Sequence, residues 1–254
     1  MPSRFAQIWQ PATNNIQLTD REVHLWIAAV PDCLPQLSDF TALLSDDERA
    51  CASRFHFERD RQRYTVVRGI LRKLLAQYLG HSGFSFAYNA YGKPTLGGPS
   101  SRLHFNVAHS CDLALFGFTR EHEIGVDIEW MRPDFASADL AQRFFAPDEA
   151  MALAALPQPL RTQGFFNCWT RKEAWIKARG MGLSLPLHSF AVTLHPDKPA
   201  ALIRVDGDPA APQCWSIQAL DTSEGYAAAM AIECTNCLPK FFSWPASLIS
   251  TSLQ

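Results

Sequence analysis

The chain has 254 residues, of which 47% are hydrophobic and 19% charged, and its formal net charge is -2. This composition is typical of a folded globular protein and excludes a disordered or fibrous chain. The charge excludes a generally basic nucleic-acid-binding protein, and no apolar run reaches the roughly 20 residues that span a bilayer. The N-terminal sequence lacks the apolar core of a secretion signal, so we expect a cytoplasmic protein.

The first half of the chain predicts a strand, long helical segments and then several short strands. The strand covers residues 22–30. Ser45, with Glu48 three positions later, forms a capping-box pattern that predicts a helix start. Apolar side chains then recur at helical spacing from Asp60 until Gly80 ends the run. Short strand-like segments follow at 84–88, 103–108, 113–118 and 124–128.

The second half repeats this order of elements without a repeat in sequence. Helical stretches at about 138–155 and 160–179 precede strands near 189–194, 214–220 and 226–233, and 195–212 reads as a long loop or weak hairpin. We therefore predict an α+β fold with two similar α/β subdomains, each with long helices packed on a small, mostly antiparallel sheet. The predicted boundaries are 1–122, 123–237 and a C-terminal extension, 238–254.

Two carboxylates in the segment GVDIEW, residues 125–130, are the first candidates for chemistry. In a strand, Asp127 and Glu129 project from the same face, opposite Val126 and Ile128. Neighbouring carboxylates repel each other, and a hard divalent cation such as Mg²⁺ offsets that repulsion. A solvent-facing strand with two ordinary acids explains the same pattern.

A second candidate group lies on the predicted helix 160–179. Glu173 and Lys177 are four residues apart on one helix face, and Trp169 lies one turn before Glu173. A surface salt bridge is one interpretation. The many aromatic neighbours instead favour a position beside the core, where Glu173 could join Asp127 as a metal ligand and Lys177 could neutralise a phosphate oxygen.

Two further segments carry weaker signals. His109 follows an apolar strand, which more often indicates a structural histidine, but with Ser110 it could also donate hydrogen bonds to a phosphate. In the segment 91–96, Lys93 offers a cation and Pro94 fixes a turn. The segment 49–73 has eight Lys or Arg residues against two acids, which indicates either a solvated helix face or an anion-binding surface.

The order of these motifs carries more information than any one of them. They are Y-G-K-P (91–94), F-N-x-x-H-S (105–110), G-V-D-I-E (125–129), W-x-x-K-E-A-x-x-K (169–177) and G-x-G-L-S-L-P (180–186). The succession closely resembles the 4′-phosphopantetheinyl transferases, specifically their long, surfactin-synthetase-activating (Sfp-type) branch. The matched segments run from about residue 49 to about residue 190.

The resemblance implies transfer of the phosphopantetheine arm of coenzyme A to a serine of an apo acyl or peptidyl carrier protein, which leaves 3′,5′-ADP. It also implies two halves related by a pseudo-twofold axis, with coenzyme A as substrate in the cleft between them. The N-terminal half would hold the nucleotide, and the C-terminal half the metal and the catalytic helix. The cofactor would be Mg²⁺ or Mn²⁺, and the protein a monomer with neither nucleic-acid nor membrane partners.

The resemblance further assigns roles to single residues. Metal ligands would be Asp127, Glu129 and Glu173, and Glu173 would also draw the proton from the carrier serine, with a low or normal pKa beside the metal. Lys177 would contact the pyrophosphate as a catalytic and binding residue. The coenzyme A contacts would be Arg63, Lys93, Pro94 and His109. Glu149 matches an acid near the site with an unsettled role, and Ala108 stands where the family usually has serine.

Three alternatives remain open at this level. The chain could be a coenzyme A-binding or carrier-binding protein that no longer catalyses. It could be another Mg²⁺-dependent phosphate-ester enzyme, such as a nucleotide hydrolase. It could also be a structural domain in which Glu173 and Lys177 form a salt bridge on a helix. Presence of all three acids together with Lys177 favours the transferase.

Overall fold

A computed structural model describes residues 7–11, 16–97 and 102–245. The first half contains β1 (Gln10–Pro11), β2 (Glu22–Ala29), α1 (Val30–Cys33), α2 (Leu37–Leu43), α3 (Asp46–Ser53), α4 (Glu58–Leu79), β3 (Phe86–Tyr88), β4 (Pro94–Leu96), β5 (His104–Ser110) and β6 (Leu113–Thr119). The second contains β7 (Ile124–Trp130), α5 (Ala138–Phe144), α6 (Pro147–Ala155), α7 (Gln158–Arg179), β8 (Phe190–Val192), β9 (Leu202–Val205), α8 (Ala211–Cys214), β10 (Ser216–Ala219), β11 (Tyr226–Ile232) and β12 (Leu238–Ser243). None of the helices in these ranges is both long and apolar enough to cross a membrane.

Both halves of the chain use the same topology. One sheet contains the order β2-β6-β5 and the other the order β7-β11-β10, and each half inserts its helices after the first strand and a two-stranded hairpin after the last long helix. The long helices α4 and α7 both have 22 residues and end at Gly80 and Gly180, which adopt left-handed conformations (φ 76° and 65°). Glycine is favoured there because it has no Cβ. The predicted mixture of helices and sheets is confirmed.

Part of the predicted C-terminal extension, 238–254, contributes a strand to the first sheet. β12 pairs in parallel with β2, and β1 pairs in parallel with β12, which gives the five-stranded order β1-β12-β2-β6-β5. All other strand pairings in the described parts are antiparallel. Residues 246–254 of the extension lie outside the described residues.

Two predicted segments differ from the structure. The helical stretch at 138–155 is divided into α5 and α6, because Phe145 and Ala146 are extended and Pro147 starts a new helix. Proline lacks the N–H that a continuing helix requires, but it fits the first turn. The segment 195–212 contains β9 and α8, and β8 with β9 forms the weak hairpin.

The two sheets pack face to face between the two long helices. Residues such as Leu25 and Leu115 from the larger sheet and Val126 and Met230 from the smaller one form a shared apolar layer. The helix α4 covers the outer face of the larger sheet, and α7 covers the outer face of the smaller one. Consequently β7 is buried on both faces, and Asp127 lies between the sheet and α7 instead of facing solvent.

The contact between α7 and β7 is unusually close at Gly125. A Cβ atom on this residue would lie 1.9 Å from the carbonyl oxygen of Ala174 and 2.4 Å from the amide nitrogen of Ala178. Both atoms belong to the α7 backbone, so neither can move aside as a side chain would. Glycine at this position sets how near α7 comes to the strand that carries Asp127 and Glu129.

The variant Gly125→Ala tests this constraint. We expect the free energy of unfolding to fall by about 1–3 kcal/mol or more, because the added methyl group forces α7 away from β7. Urea denaturation monitored by circular dichroism measures the change. Gly83→Ala is the control, since a Cβ there meets no atom within 4 Å. A Gly125→Ala protein as stable as the control would contradict the account.

Candidate active site

The site forms where the edge strands of the two sheets meet. In β5, the Asn106 Oδ1 atom accepts a hydrogen bond from the backbone N–H of Val126 (2.9 Å). The Ser110 hydroxyl donates to Glu129 Oε2 (2.8 Å) and accepts from the backbone N–H of Trp130 (3.0 Å). These bonds satisfy polar groups on β7 and fix its carboxylates relative to the end of β5.

Asp127 and Lys177 form the central ion pair. Lys177 Nζ lies 2.6 Å from Asp127 Oδ1, and the lysine side chain is 30% exposed while Asp127 is buried. Burial raises the pKa of Asp127 although Lys177 opposes this effect. Burial alone would lower the pKa of Lys177, but the negative charge of Asp127 outweighs it, and the pKa of Lys177 is raised. Lys177 therefore stays positively charged at neutral pH.

The carboxyl groups of Glu129 and Glu173 also have raised pKa values. For Glu129 the causes are burial and then the charge of Asp127. For Glu173 they are burial and then the charges of Asp127 and Glu129, which Lys177 counteracts. In the protein without a metal, the pKa of Glu173 is thus raised, whereas a low or normal value was expected beside a metal. The three acids come close enough to disfavour one another's charged forms.

The carboxylates of the predicted metal triad are near one another but not in a metal-binding arrangement. Among the described residues, no group of three or more His, Cys, Asp or Glu side chains is arranged to hold a metal ion. Asp127 Oδ1 is occupied by Lys177, yet Asp127 Oδ2 is buried and has no hydrogen-bond partner within the described chain. An unpartnered buried carboxylate oxygen beside two more acids fits the hard oxygen chemistry of Mg²⁺. The triad stays a prediction.

His109 and Arg63 approach the same region from β5 and from the first turns of α4. His109 keeps access to solvent, but partial burial of the ring, then the positive charges of Arg63 and Lys177, lower its pKa. Arg63 itself donates weakly to Asp60 (3.4 Å). Arg63 and Lys177 form a positive region next to the acids, with the His109 ring beside them, as an anionic ligand requires.

Lys93 and Pro94 lie at the other end of β7. Lys93 Nζ contacts the carboxylate of Glu123 and lies 3.3 Å from the carbonyl oxygens of Ile124 and Ala178. Pro94 lies in β4, paired with Tyr88. Glu129 lies five positions after Ile124, which corresponds to roughly 16 Å along a strand. The structure therefore gives the Lys93 ammonium group protein partners and separates it from the Glu129 carboxylate.

An aromatic pocket of about 200 Å³ opens beside Glu129. Its walls are formed by Ser110, Cys111, Glu129, Trp130, Arg132, Phe135, Phe166 and Trp169. The aromatic rings contact one another edge to face, as between Phe135 and Trp169 (centroids 6.0 Å apart, 89°). The apolar walls reduce hydration of Glu129, in agreement with its raised pKa.

Sequence reasoning missed several residues that build the site. It gave no role to Asn106 or Gly125, although both lie inside the quoted motifs, and it did not single out Lys172. The side-chain amide at Asn106, within an otherwise apolar strand, and the glycine in a β-branched strand were the available signals. Glu149 was noted without a role; in the structure it is buried and pairs with Lys172 (2.7 Å).

The variant Glu173→Gln tests the electrostatic strain in the metal-free protein. An acid whose pKa is higher in the folded than in the unfolded protein lowers the stability of the fold once the pH exceeds the folded-state pKa. This loss of stability vanishes below the unfolded-state pKa of about 4. In the presence of a chelator, Glu173→Gln should therefore have a higher melting temperature than the wild type at pH 8. Near pH 4 the two melting temperatures should be equal, and calorimetry measures both. The exposed Glu224→Gln is the control. A melting temperature unchanged or lowered at pH 8 would contradict the strain.

Two protein-family models match this chain, one in each half. The 4′-phosphopantetheinyl transferase superfamily model matches residues 123–231, and the model described as "4′-phosphopantetheinyl transferase, N-terminal" matches residues 32–118. The crystal structure of Thermotoga maritima holo-[acyl-carrier-protein] synthase covers 44% of this chain and 63% of its own, with 18% identity and a TM-score of 0.35.

Curated relatives match over greater lengths. The 4′-phosphopantetheinyl transferase HetI from Nostoc sp. is 39% identical over 240 residues, which are 93% of this chain and 98% of HetI. A 4′-phosphopantetheinyl transferase from Bacillus subtilis is 34% identical over 74% of this chain and 82% of its own length. Sfp from Bacillus subtilis is 36% identical over 62% and 70%, respectively. The chain belongs to the 4′-phosphopantetheinyl transferase superfamily and, within it, to the long Sfp-type branch.

Proposed function

We propose that this chain transfers the 4′-phosphopantetheine arm of coenzyme A to a serine of an apo acyl or peptidyl carrier protein in a Mg²⁺-dependent reaction. The observation that carries the proposal is the cluster of Asp127, Glu129 and Glu173, with raised pKa values, beside the cations Lys177 and Arg63 and the imidazole ring of His109. Membership of the family supports it. A bond forms between the serine Oγ atom and the phosphorus of the phosphopantetheine arm. The bond from this phosphorus to the oxygen that it shares with the nucleotide breaks, and 3′,5′-ADP leaves.

Charge neutralisation is the main task of the residues around the phosphates. In phosphoryl transfer, an enzyme mostly positions the reactants and stabilises negative charge. Lys177 carries its charge at neutral pH because Asp127 raises its pKa, and it would contact the pyrophosphate. His109 would bind a coenzyme A phosphate. An incoming phosphate would raise the lowered pKa of His109 and favour its doubly donating form.

Asp127, Glu129 and Glu173 would hold the divalent cation, Mg²⁺ or Mn²⁺. When bound, the cation supplies Lewis-acid polarisation and offsets the charge of the pyrophosphate. The buried Asp127 Oδ2 atom is the available ligand on that side chain, since Oδ1 accepts from Lys177. Glu129 is held in place by the Ser110 hydroxyl.

Glu173 would take the proton from the carrier serine. A serine hydroxyl has an intrinsically high pKa, so its base has to be ionised. Burial and the neighbouring acids raise the pKa of Glu173 in the metal-free protein, and a bound cation would favour its carboxylate form. Its place on α7, one turn before Lys177, puts the base near the cation that contacts the phosphate.

The nucleotide would lie on the N-terminal half, in a cleft between two halves related by a pseudo-twofold axis. Arg63 would bind the 3′-phosphate. The Lys93 ammonium group already contacts Glu123, Ile124 and Ala178. Lys93 and Pro94 would therefore face the adenine end of coenzyme A with the backbone of their hairpin. Ala108 cannot supply the usual serine hydroxyl, which should weaken coenzyme A binding by about 1 kcal/mol. The monomeric state, the cytoplasmic location and the lack of nucleic-acid partners remain predictions.

A mass-shift assay tests the function directly. Purified protein, coenzyme A and Mg²⁺ are incubated with a small panel of apo fatty-acid, polyketide and peptide-synthetase carriers, and intact mass is measured. We expect one phosphopantetheine per carrier and none when Mg²⁺ is removed by a chelator. Coenzyme A binding without any mass shift would favour a non-catalytic binder. Cleavage of coenzyme A without a carrier would favour a hydrolase.

For Glu173→Gln we expect coenzyme A to bind while transfer falls by orders of magnitude, because the base is lost and the phosphate contacts remain. Calorimetry measures binding, and the mass-shift assay measures turnover. The exposed Glu224→Gln serves as the control and should transfer at the wild-type rate. Near-normal turnover of Glu173→Gln would place the base elsewhere.

For Arg63→Ala we expect a KM for coenzyme A about 10- to 150-fold higher, with little change for dephospho-coenzyme A, which lacks the 3′-phosphate. Loss of one charge-assisted hydrogen bond, about 1.5–3 kcal/mol, sets this magnitude. Arg59→Ala is the matched control on the same helix, since the Arg59 side chain is 79% exposed. Equal losses for both substrates would locate Arg63 away from the 3′-phosphate.

A further inference from the structure

The residue directly before Glu173 is a fully buried lysine. Lys172 Nζ lies 2.7 Å from the carbonyl oxygen of Leu187, 2.6 Å from that of Phe190 and 2.7 Å from Glu149 Oε2. These three acceptors match the three N–H bonds of an ammonium group. Lys172 therefore ties one side of α7 to the segment that leads into β8 and to Glu149.

Glu149 is buried as well, and its two oxygens are shared among three elements. Its Oε2 atom accepts from the backbone N–H of Ala146 (2.8 Å), and its Oε1 atom accepts from that of Val192 (2.7 Å). Glu149 thus joins the start of α6, the strand β8 and, through Lys172, the middle of α7. It does not belong to the group of acids whose charges raise the pKa of Glu173.

The first half of the chain contains a similar buried ion pair, but no candidate catalytic residue follows it. Glu48 is buried near the start of α3, accepts from the backbone N–H of Ser45 (2.8 Å), and pairs with Arg72 (2.5 Å) and Arg68. Arg72 and Lys172 each lie fourteen residues after the first residue of α4 and α7. Lys73 follows Arg72 and lies over the ring of Phe40, whereas Glu173 follows Lys172.

We propose that the Glu149–Lys172 pair is a positioning device that fixes the rotation of α7 and so aims Glu173 at the carrier serine. Successive residues on a helix differ by about 100° in direction, so anchoring Lys172 inside the core determines where Glu173 points. The Asp127–Lys177 pair holds the same helix five residues further on. A buried ion pair adds little net stability compared with apolar residues, which favours a geometric role. The inference rests on the proposed function.

The experiment compares Glu149→Gln with its structural counterpart, Glu48→Gln. Both changes remove a buried negative charge while keeping an oxygen acceptor, and both are assayed at a temperature where each variant is folded. We expect kcat of Glu149→Gln to fall about 10- to 100-fold, since an error of about 1 Å at the base costs this much. Its KM for coenzyme A should stay within about three-fold of the wild type. The kcat of Glu48→Gln should also stay within about three-fold of the wild type.

A double variant separates positioning from stability. Glu149→Gln combined with Lys172→Met removes both buried charges, which should restore part of the melting temperature lost in either single variant. In our account kcat stays low in the double variant. Recovery of kcat together with stability would overturn the proposal, as would equal losses of kcat in Glu149→Gln and Glu48→Gln or an unchanged kcat in Glu149→Gln. Absence of transfer by the wild type would instead refute the proposed function.

Discussion

The close contact of α7 with β7 at Gly125 is the constraint on which the site depends. Because no side chain separates the helix backbone from the strand, Lys177 on α7 reaches the carboxylate of Asp127. Glu173 on the same helix lies near enough to Asp127 and Glu129 for their charges to raise its pKa. The same approach takes Asp127 out of water. Its charge then needs compensation from within the protein, and Lys177 supplies one part of it.

The electrostatics of the site follow from this packing. Three acids with raised pKa values are unfavourable in a protein without a bound cation, and they are retained beside the positive charges of Lys177 and Arg63 and the ring of His109. Elsewhere, buried acids are fully paired: Glu48 with two arginines and Glu149 with Lys172. Strain is thus concentrated where a metal and a pyrophosphate would relieve it, as is common at functional sites.

Local signals in the sequence were sufficient to predict most helices and strands. They were insufficient to predict some of the contacts between these elements. Helical periodicity, with Gly80 at the end of the first run, predicts the long helix α4, a second helical stretch predicts α7, and the motif order predicts the family. The pairing of β12 with β2 could not be predicted, because the two strands lie more than 200 residues apart and no local pattern encodes their register. For the same reason the partners of Lys93 and Lys172, which come from distant segments, were missed. A solvent-facing Asp127 stayed open as an alternative because strand alternation does not reveal a covering helix.

The account is tested most directly by locating the cation. Crystals grown with coenzyme A and Mn²⁺, measured near the manganese absorption edge, give an anomalous difference map that identifies the metal position independently of the protein coordinates. We predict one peak among the carboxylates of Asp127, Glu129 and Glu173, with Asp127 Oδ2 as a ligand. A peak outside this group, or none in crystals that contain ordered coenzyme A, would contradict the central claim that these three acids form the metal site.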